Sequence, residues 1–253
     1  MDFNYTKIKI GNFLYKYCFP LYNLTYTKFK HKNDRSEIEL LKQFIKPGDH
    51  ILDIGSNIGF YAKLLSEFTG ASGKVYCFEP DAKNFGYLQQ NTKGLTNIVL
   101  FNNAVSDKSD TLKVYRSKLL NVDHRTYPVS NYDSVEEIES VSIDKLLENQ
   151  IIATVDLIKI DIQGYELTAF NGMKKTLASN PQIKIIAEYW PHGFKRAGTS
   201  AIAFYDFFND MGFTFYLIDG KALNKVSKEY IIQNNDMPFE FSFNVLITKE
   251  ALQ

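Results

Sequence analysis

Hydrophobic and polar positions change period along the chain at regular intervals. "SEIELLKQFI" (36–45) has helical spacing and stops at the Pro-Gly turn of "KPGD". Short apolar runs then alternate with helical patterns. "HILDIG" (50–55), "KVYCFEP" (74–80) and "NIVLFNNAV" (97–105) read as buried strands, separated by helices over 60–68 and 82–92. The same rhythm resumes at "DLIKIDI" (156–162), with a helix over 165–179, a strand over 183–190, a helix over 200–212 and a strand over 213–219. A long extended run, "FEFSFNVLITK" (239–249), suits an antiparallel closing strand. Strands and helices alternating at this spacing predict right-handed βαβ units and a parallel sheet covered on both faces.

Two segments fall outside the rhythm. Between about 106 and 150 there is a short extra strand (111–116), a polar loop (119–135) and an extended piece running into a helix (137–147). This reads as an insertion on the acceptor side of the cleft. Residues 1–36 read as an N-terminal arm or lid, leaving 37–253 as one α/β domain. The arm "NFLYKYCFPLYNLTYTKFKHK" interleaves aromatics with lysines. Packing with a solvated basic face is the simpler reading; weak attachment to a membrane surface or to an anionic acceptor is the other.

Composition adds little and excludes several classes. Lys+Arg and Asp+Glu balance at 29 each, so no overall field points to nucleic acid. Two cysteines, Cys18 and Cys77, suit a reducing compartment and support neither a disulfide scaffold nor a thiolate metal site. No apolar run approaches the ~20 residues of a membrane span, and no leader pattern opens the chain, so a cytoplasmic protein is expected. Sixteen Tyr and 20 Phe suggest a thick core or an aromatic cleft. Oligomeric state is not legible, although the arm could pack across a dimer.

Open α/β sheets bind ligands at the carboxyl ends of their strands. The first strand-to-helix turn, "ILDIGSNIGFY", carries Asp53, Gly55, Ser56, Asn57 and Gly59. It is neither the G-x-G-x-x-G of dinucleotide binding nor a phosphate loop with its lysine. Glu79, followed by Pro80, ends the second strand, where a carboxylate suits a ribose diol. Asn103 and the small Ala104 follow the third and could flank an adenine. Together these describe a nucleoside without phosphates, such as S-adenosyl-L-methionine, which leaves as S-adenosyl-L-homocysteine.

From here the chain resembles a known family. "KPGDHILDIGSNIGFYAKLL", "VYCFEPDAKNFGYLQQN", "NNAVSD", "SIDKLL", "LIKIDIQGYELTAFNGM" and "IIAEYWP" look, in this order, like the FkbM-type S-adenosylmethionine-dependent methyltransferases, over roughly residues 37–219. The resemblance implies a Rossmann-like class I α/β fold with a seven-stranded, mostly parallel sheet, an antiparallel last strand and helices on both faces. It implies methyl transfer to a hydroxyl of a sugar, glycan or natural product, while some relatives methylate peptide side-chain nitrogen. The acceptor is thus a small molecule, a glycan or a peptide. The family often has Glu where this chain has Gln163, which weakens a metal held by Asp161, residue 163 and Glu166. A divalent cation is therefore the less favoured addition.

Asp161, at the tip of the strand beside the first, is the expected base or acceptor-orienting group. Its alternative is to hold the following loop. His124, in the insertion, and His192, past the fifth strand, are the other candidate bases, with a structural or solvent-facing role as the simpler reading of each. Gln163, Glu166, Glu188 and Trp190 are expected to meet the acceptor. For Glu166 an equal alternative is complementing a helix N-terminus, and for Trp190 it is packing. Two other classes stay open: a non-catalytic nucleoside-binding domain on the same fold, and a nucleotide-using oxidoreductase, against which the missing G-x-G-x-x-G argues.

Overall fold

The computed structural model describes residues 3–117, 132–220, 222–250 and 252. His124 and most of the expected polar loop lie outside them. Two helices open the chain, α1 (Phe3–Tyr17) and α2 (Phe19–Asn33), followed by α3 (Arg35–Phe44). The alternating part begins with β1 (His50–Ile54), α4 (Phe60–Thr69), β2 (Lys74–Phe78), α5 (Ala82–Asn91) and β3 (Ile98–Phe101). Three strands, β4 (Ala104–Val105), β5 (Thr111–Ser117) and β6 (Tyr132–Val141), precede α6 (Ile143–Glu148). Then come β7 (Leu157–Ile160), α7 (Glu166–Asn171), α8 (Lys174–Ser179), β8 (Lys184–Tyr189), α9 (Pro191–Arg196) and α10 (Ala201–Asn209). The chain finishes with β9 (Thr214–Asp219), β10 (Ala222–Lys225), α11 (Lys228–Gln233) and β11 (Phe243–Thr248).

The main sheet has eight strands in the order β10-β9-β11-β8-β7-β1-β2-β3, and the second has the order β4-β6-β5. Strands β8, β7, β1, β2 and β3 are parallel, and β11 runs antiparallel between β8 and β9. The seven expected strands are present, and β10 is the eighth. It pairs antiparallel with β9 at the sheet edge and is mostly exposed, so no apolar run announces it.

Two further differences have local causes. The expected strand over 97–105 is broken, because Asn102 donates its amide to the carbonyls of Glu79 (2.8 Å) and Pro80 (3.1 Å). The chain turns there, and β4 joins the second sheet. The expected helix over 165–179 is two short helices that part at Gly172, where a side chain would meet the Ser106 carbonyl oxygen at 2.1 Å. The second sheet therefore sits against the backbone of that helix break.

Both faces of the main sheet are covered. On one, Leu52, Ile54, Ile158 and Ile160 pack with the phenylalanines of α7, α9 and α10, among them Phe170, Phe194, Phe204 and Phe208. This is where much of the aromatic content goes. The other face packs Ile51, Val75, Cys77 and Leu157 under α3 and α4, through Leu41 and Leu65. Parallel strands alternate sides, so this second face also carries Asp53 and Lys159, which are register partners on β1 and β7.

The arm is built into this second layer. Tyr15 donates its hydroxyl to Asn84 Oδ1 at 2.6 Å, and Phe19 stacks on Tyr87 of α5 with ring centroids 3.4 Å apart. Tyr15, Tyr22 and Ile58 form a small core of their own. The first helices of the chain thus lie directly over the glycine turn.

Candidate active site

The turn after β1 closes against the end of β7. Gly55 has φ +84°, and a side chain on it would meet the Asp161 carbonyl oxygen at 2.1 Å. Glycine here meets both the left-handed backbone and the close approach. The Asp161 N–H in turn donates to the Ile54 carbonyl at 3.0 Å. The first loop and Asp161 are therefore one structural unit.

A cavity of about 240 Å³ opens beside this unit, lined among others by Gly55, Ser56, Asn57, Lys159, Asp161 and Gln163. Tyr26, Phe29 and Lys30 of α2 and Phe60 and Tyr61 of α4 also line it. The arm, α4 and the strand ends thus enclose one pocket. A larger cavity, about 630 Å³, lies on the far side of α4, near Asn23, Lys63 and Asn97. It contains neither Asp161 nor Gln163, so size does not locate the chemistry.

Asp53 is buried below the turn, and its Oδ2 has no hydrogen-bond partner among the described residues. Burial raises its pKa, opposed by the nearby Lys159 charge. Ser56 Oγ donates to the Asp53 carbonyl at 2.7 Å, which tightens the turn. Glu79 is buried at the tip of β2, with Oε2 accepting from the Asn57 N–H (2.8 Å) and Oε1 from the Asp81 N–H (2.9 Å). Burial pushes its carboxyl up to about 8, against the pull of those backbone donors. Each carboxylate oxygen keeps a second lone pair, so a diol can still be accepted. Asn103 reaches the Glu139 carbonyl at 3.4 Å, and Ala104 is buried in the second sheet. The amide that shapes the Glu79–Pro80 tip is Asn102.

On the other side of the cavity, Gln163 joins two carboxylates. Its Nε2 lies 2.9 Å from Asp161 Oδ1 and 3.4 Å from Glu188 Oε2. Gln163 itself has φ +59°, a left-handed turn position. Burial raises the Glu188 pKa well above the usual carboxylate range, and Asp161 and Glu166 add to the shift.

Glu166 and Trp190 differ from expectation. Glu166 is buried and accepts the Ile162 N–H at 2.9 Å through Oε1, which holds the Asp161–Gly164 loop, while its Oε2 has no hydrogen-bond partner among the described residues. Burial pushes its carboxyl up to about 8. Trp190 is 4% exposed, donates Nε1–H to the Phe239 carbonyl at 2.9 Å, and presses its ring on Gly193. It is packing, not an open platform for a sugar ring. His192 lies past β8, packed against the rings of Trp190 and Phe239, which also touch each other, and no hydrogen bond joins it to Asp161 among the described residues. Among those residues, no group of three or more His, Cys, Asp or Glu is arranged to hold a metal ion.

Lys159 was not singled out from the sequence. It is buried within β7, with Nζ 3.9 Å from Glu37 Oε1 and 4.1 Å from the centre of the Tyr61 ring. Tyr61 donates its hydroxyl to Asp34 Oδ2 at 2.7 Å, and Asp34 also pairs with Lys30. Burial works against the Lys30 charge, but Asp34 outweighs it and raises the pKa. The signal available in the sequence was a lysine inside an otherwise apolar four-residue strand.

The parallel sheet with its antiparallel β11 is the class I methyltransferase fold, with one further edge strand. A proposed rRNA-methylase structure from Clostridium thermocellum superposes with a TM-score of 0.52, at 13% identity, covering 86% of this chain and 95% of the other. At that identity the likeness concerns the fold. Residues 53–215, more than half of the chain, match the model of the methyltransferase FkbM domain. The chain belongs to the FkbM methyltransferase family. Among its curated relatives, hexuronic acid methyltransferase AglP of Haloferax volcanii is 28% identical over 149 residues, 58% of this chain and 59% of AglP. The 2-O-methyltransferase NoeI of Sinorhizobium fredii is 26% identical over 162 residues, 58% of this chain and 65% of NoeI. The chain therefore spans less than two thirds of either relative.

Proposed function

We propose that the chain is an S-adenosyl-L-methionine-dependent methyltransferase acting on a hydroxyl of a sugar or glycan. The observation that carries this reading is the single cavity shared by the Gly55–Asn57 turn and the Asp161–Gln163 pair. Family membership supports methyl transfer, the name of NoeI supports transfer to oxygen, and the name of AglP supports a sugar-acid acceptor.

The residues fit the cofactor in chemical type. Glu79 offers acceptor lone pairs to the ribose, the turn over Gly55–Gly59 allows close backbone approach, and the buried Asp53 Oδ2, which has no hydrogen-bond partner among the described residues, offers a further polar oxygen below the turn. Asn103, with Ala104 behind it, remains the proposed neighbour of the adenine. When bound, the cofactor supplies an electrophilic methyl group.

The chain's own part is to orient and deprotonate the acceptor. Asp161 accepts the hydroxyl proton or holds the hydroxyl in line, and Gln163 fixes the Asp161 carboxylate by its amide hydrogen. Glu188, tied to the same amide, forms the next wall. His192 and His124 are secondary candidates for proton transfer. Helices α1 and α2 act as a lid that keeps water from the pocket. No helix among the described residues is long and apolar enough to cross a membrane. A cytoplasmic location is proposed from the unpaired cysteines. Incubation with labelled S-adenosyl-L-methionine and uronic-acid-containing oligosaccharides tests the reading. Label should enter the sugar; label entering only peptide side chains would overturn the sugar assignment.

A further inference from the structure

The α1–α2 pair has two faces with different fates. Tyr15 and Tyr22 turn inward, and Tyr26 and Lys30 of α2 line the cavity. Outward, Ile10 (55% exposed), Phe13 (60%) and Tyr17 (66%) follow i, i+3, i+7 spacing and share one stripe of α1. Leu21 and Leu24 continue the exposed apolar surface on α2. Five of the eleven large hydrophobic side chains exposed among the described residues lie on this outer surface between residues 10 and 24, a concentration that isolated surface apolars do not show; the exposed Phe29 belongs to the rim of the cavity.

The charge of this segment has one sign. Between Phe3 and Asn33 there are six lysines (Lys7, Lys9, Lys16, Lys28, Lys30 and Lys32) and no Asp or Glu, in a chain whose basic and acidic residues balance overall, so that the remainder is net acidic. Lys16, Lys28 and Lys32 are exposed, on the outer side of the pair. A second copy of the chain is a poor occupant, because two-fold pairing would bring together two faces that carry lysines and no Asp or Glu to pair with them. An anionic surface that also accepts apolar side chains satisfies both features.

We propose that the outer face of α1 and α2 docks on an anionic membrane surface. Phe13, Tyr17 and their aliphatic neighbours enter the headgroup region, and the lysines meet acidic lipid headgroups. The docking does not depend on the identity of the methyl acceptor. Since α2 lines the cavity with its inner face, the membrane-facing element and the site's lid are the same helix.

Co-sedimentation of the full chain with vesicles tests this. One set contains phosphatidylcholine alone, the other phosphatidylcholine with phosphatidylglycerol, each at low and high salt. Pelleting with the anionic vesicles only, lost at high salt, is expected. Lys16→Glu with Lys28→Glu, and separately Phe13→Ser with Tyr17→Ser, should each weaken partitioning at least tenfold, with an unchanged melting temperature because the side chains are exposed. Equal pelleting with both vesicle types, no pelleting, or variants that bind like the wild type would overturn the proposal. So would a solution dimer, seen by light scattering, that Phe13→Ser with Tyr17→Ser converts to monomer.

Discussion

Gln163 donates its side-chain amide to Asp161, with Nε2 2.9 Å from Oδ1. An ionised glutamate at this position, where the family often has Glu, could not make that bond. It would instead place a third carboxylate beside Asp161 and Glu188. Like charges held this close cannot all ionise without cost. Gln163→Glu is therefore expected to lower methyl transfer at least tenfold. Its melting temperature should also fall more at pH 8 than at pH 6, read by thermal unfolding at both values.

Asp161 itself should separate chemistry from binding. Asp161→Asn keeps the shape and the backbone contacts to Gly55 and Ile54 but removes the proton acceptor. General base catalysis contributes about 10²–10⁴-fold. Turnover should fall by a factor in that range, while affinity for S-adenosyl-L-homocysteine stays within about threefold. Steady-state kinetics with a parallel calorimetric titration check both halves.

Buried carboxyls set the pH dependence of stability. The pKa values of Glu79 and Glu166 are raised to about 8 by burial, from an ordinary value of 4.5. A raised folded pKa favours the neutral acid, so its stabilisation is complete below 4.5 and is lost as pH rises through about 8. The ligand-free protein should lose stability over that window. Glu166→Gln should flatten the slope, because the amide does not ionise. Denaturant unfolding at several pH values reads the slope directly.

Lys159, at the wall of the cavity, and Glu37 make a buried pair 3.9 Å apart. Breaking such a pair from one side leaves an uncompensated charge and costs about 3–5 kcal/mol. Lys159→Met alone is expected in that range. The double variant with Glu37→Gln should recover part of the loss, measured as a double-mutant cycle by urea unfolding.

These contacts also mark how far the sequence could be read. The parallel strands were legible because runs such as "HILDIG" and "KVYCF" are apolar and bounded by turns, and the Gly55–Gly59 loop was legible from its glycines. Helices α1 and α2 were not recognised as helices, because one side packs on Tyr87 and Ile58 while the other exposes Phe13 and Tyr17. Apolar residues on both sides erase the periodic signal. From sequence, Glu166 and Trp190 are expected to meet the acceptor, with helix capping and packing as their alternatives. The hydrogen bonds they make, with the Ile162 N–H and the Phe239 carbonyl, are to backbone groups that no local pattern reveals. The Gln163 bridge to Glu188 spans 25 residues and depends on the β7–β8 pairing.

The account rests on the cavity beside Gly55 being the cofactor site. Isothermal titration of the wild-type chain and of Gly55→Ala with S-adenosyl-L-homocysteine tests it most directly, since the added carbon would meet the Asp161 carbonyl oxygen at 2.1 Å. Saturable heat with the wild type, and at least tenfold weaker binding by a folded Gly55→Ala, is the predicted result. No heat with the wild type, or equal affinity in a folded variant, would contradict it.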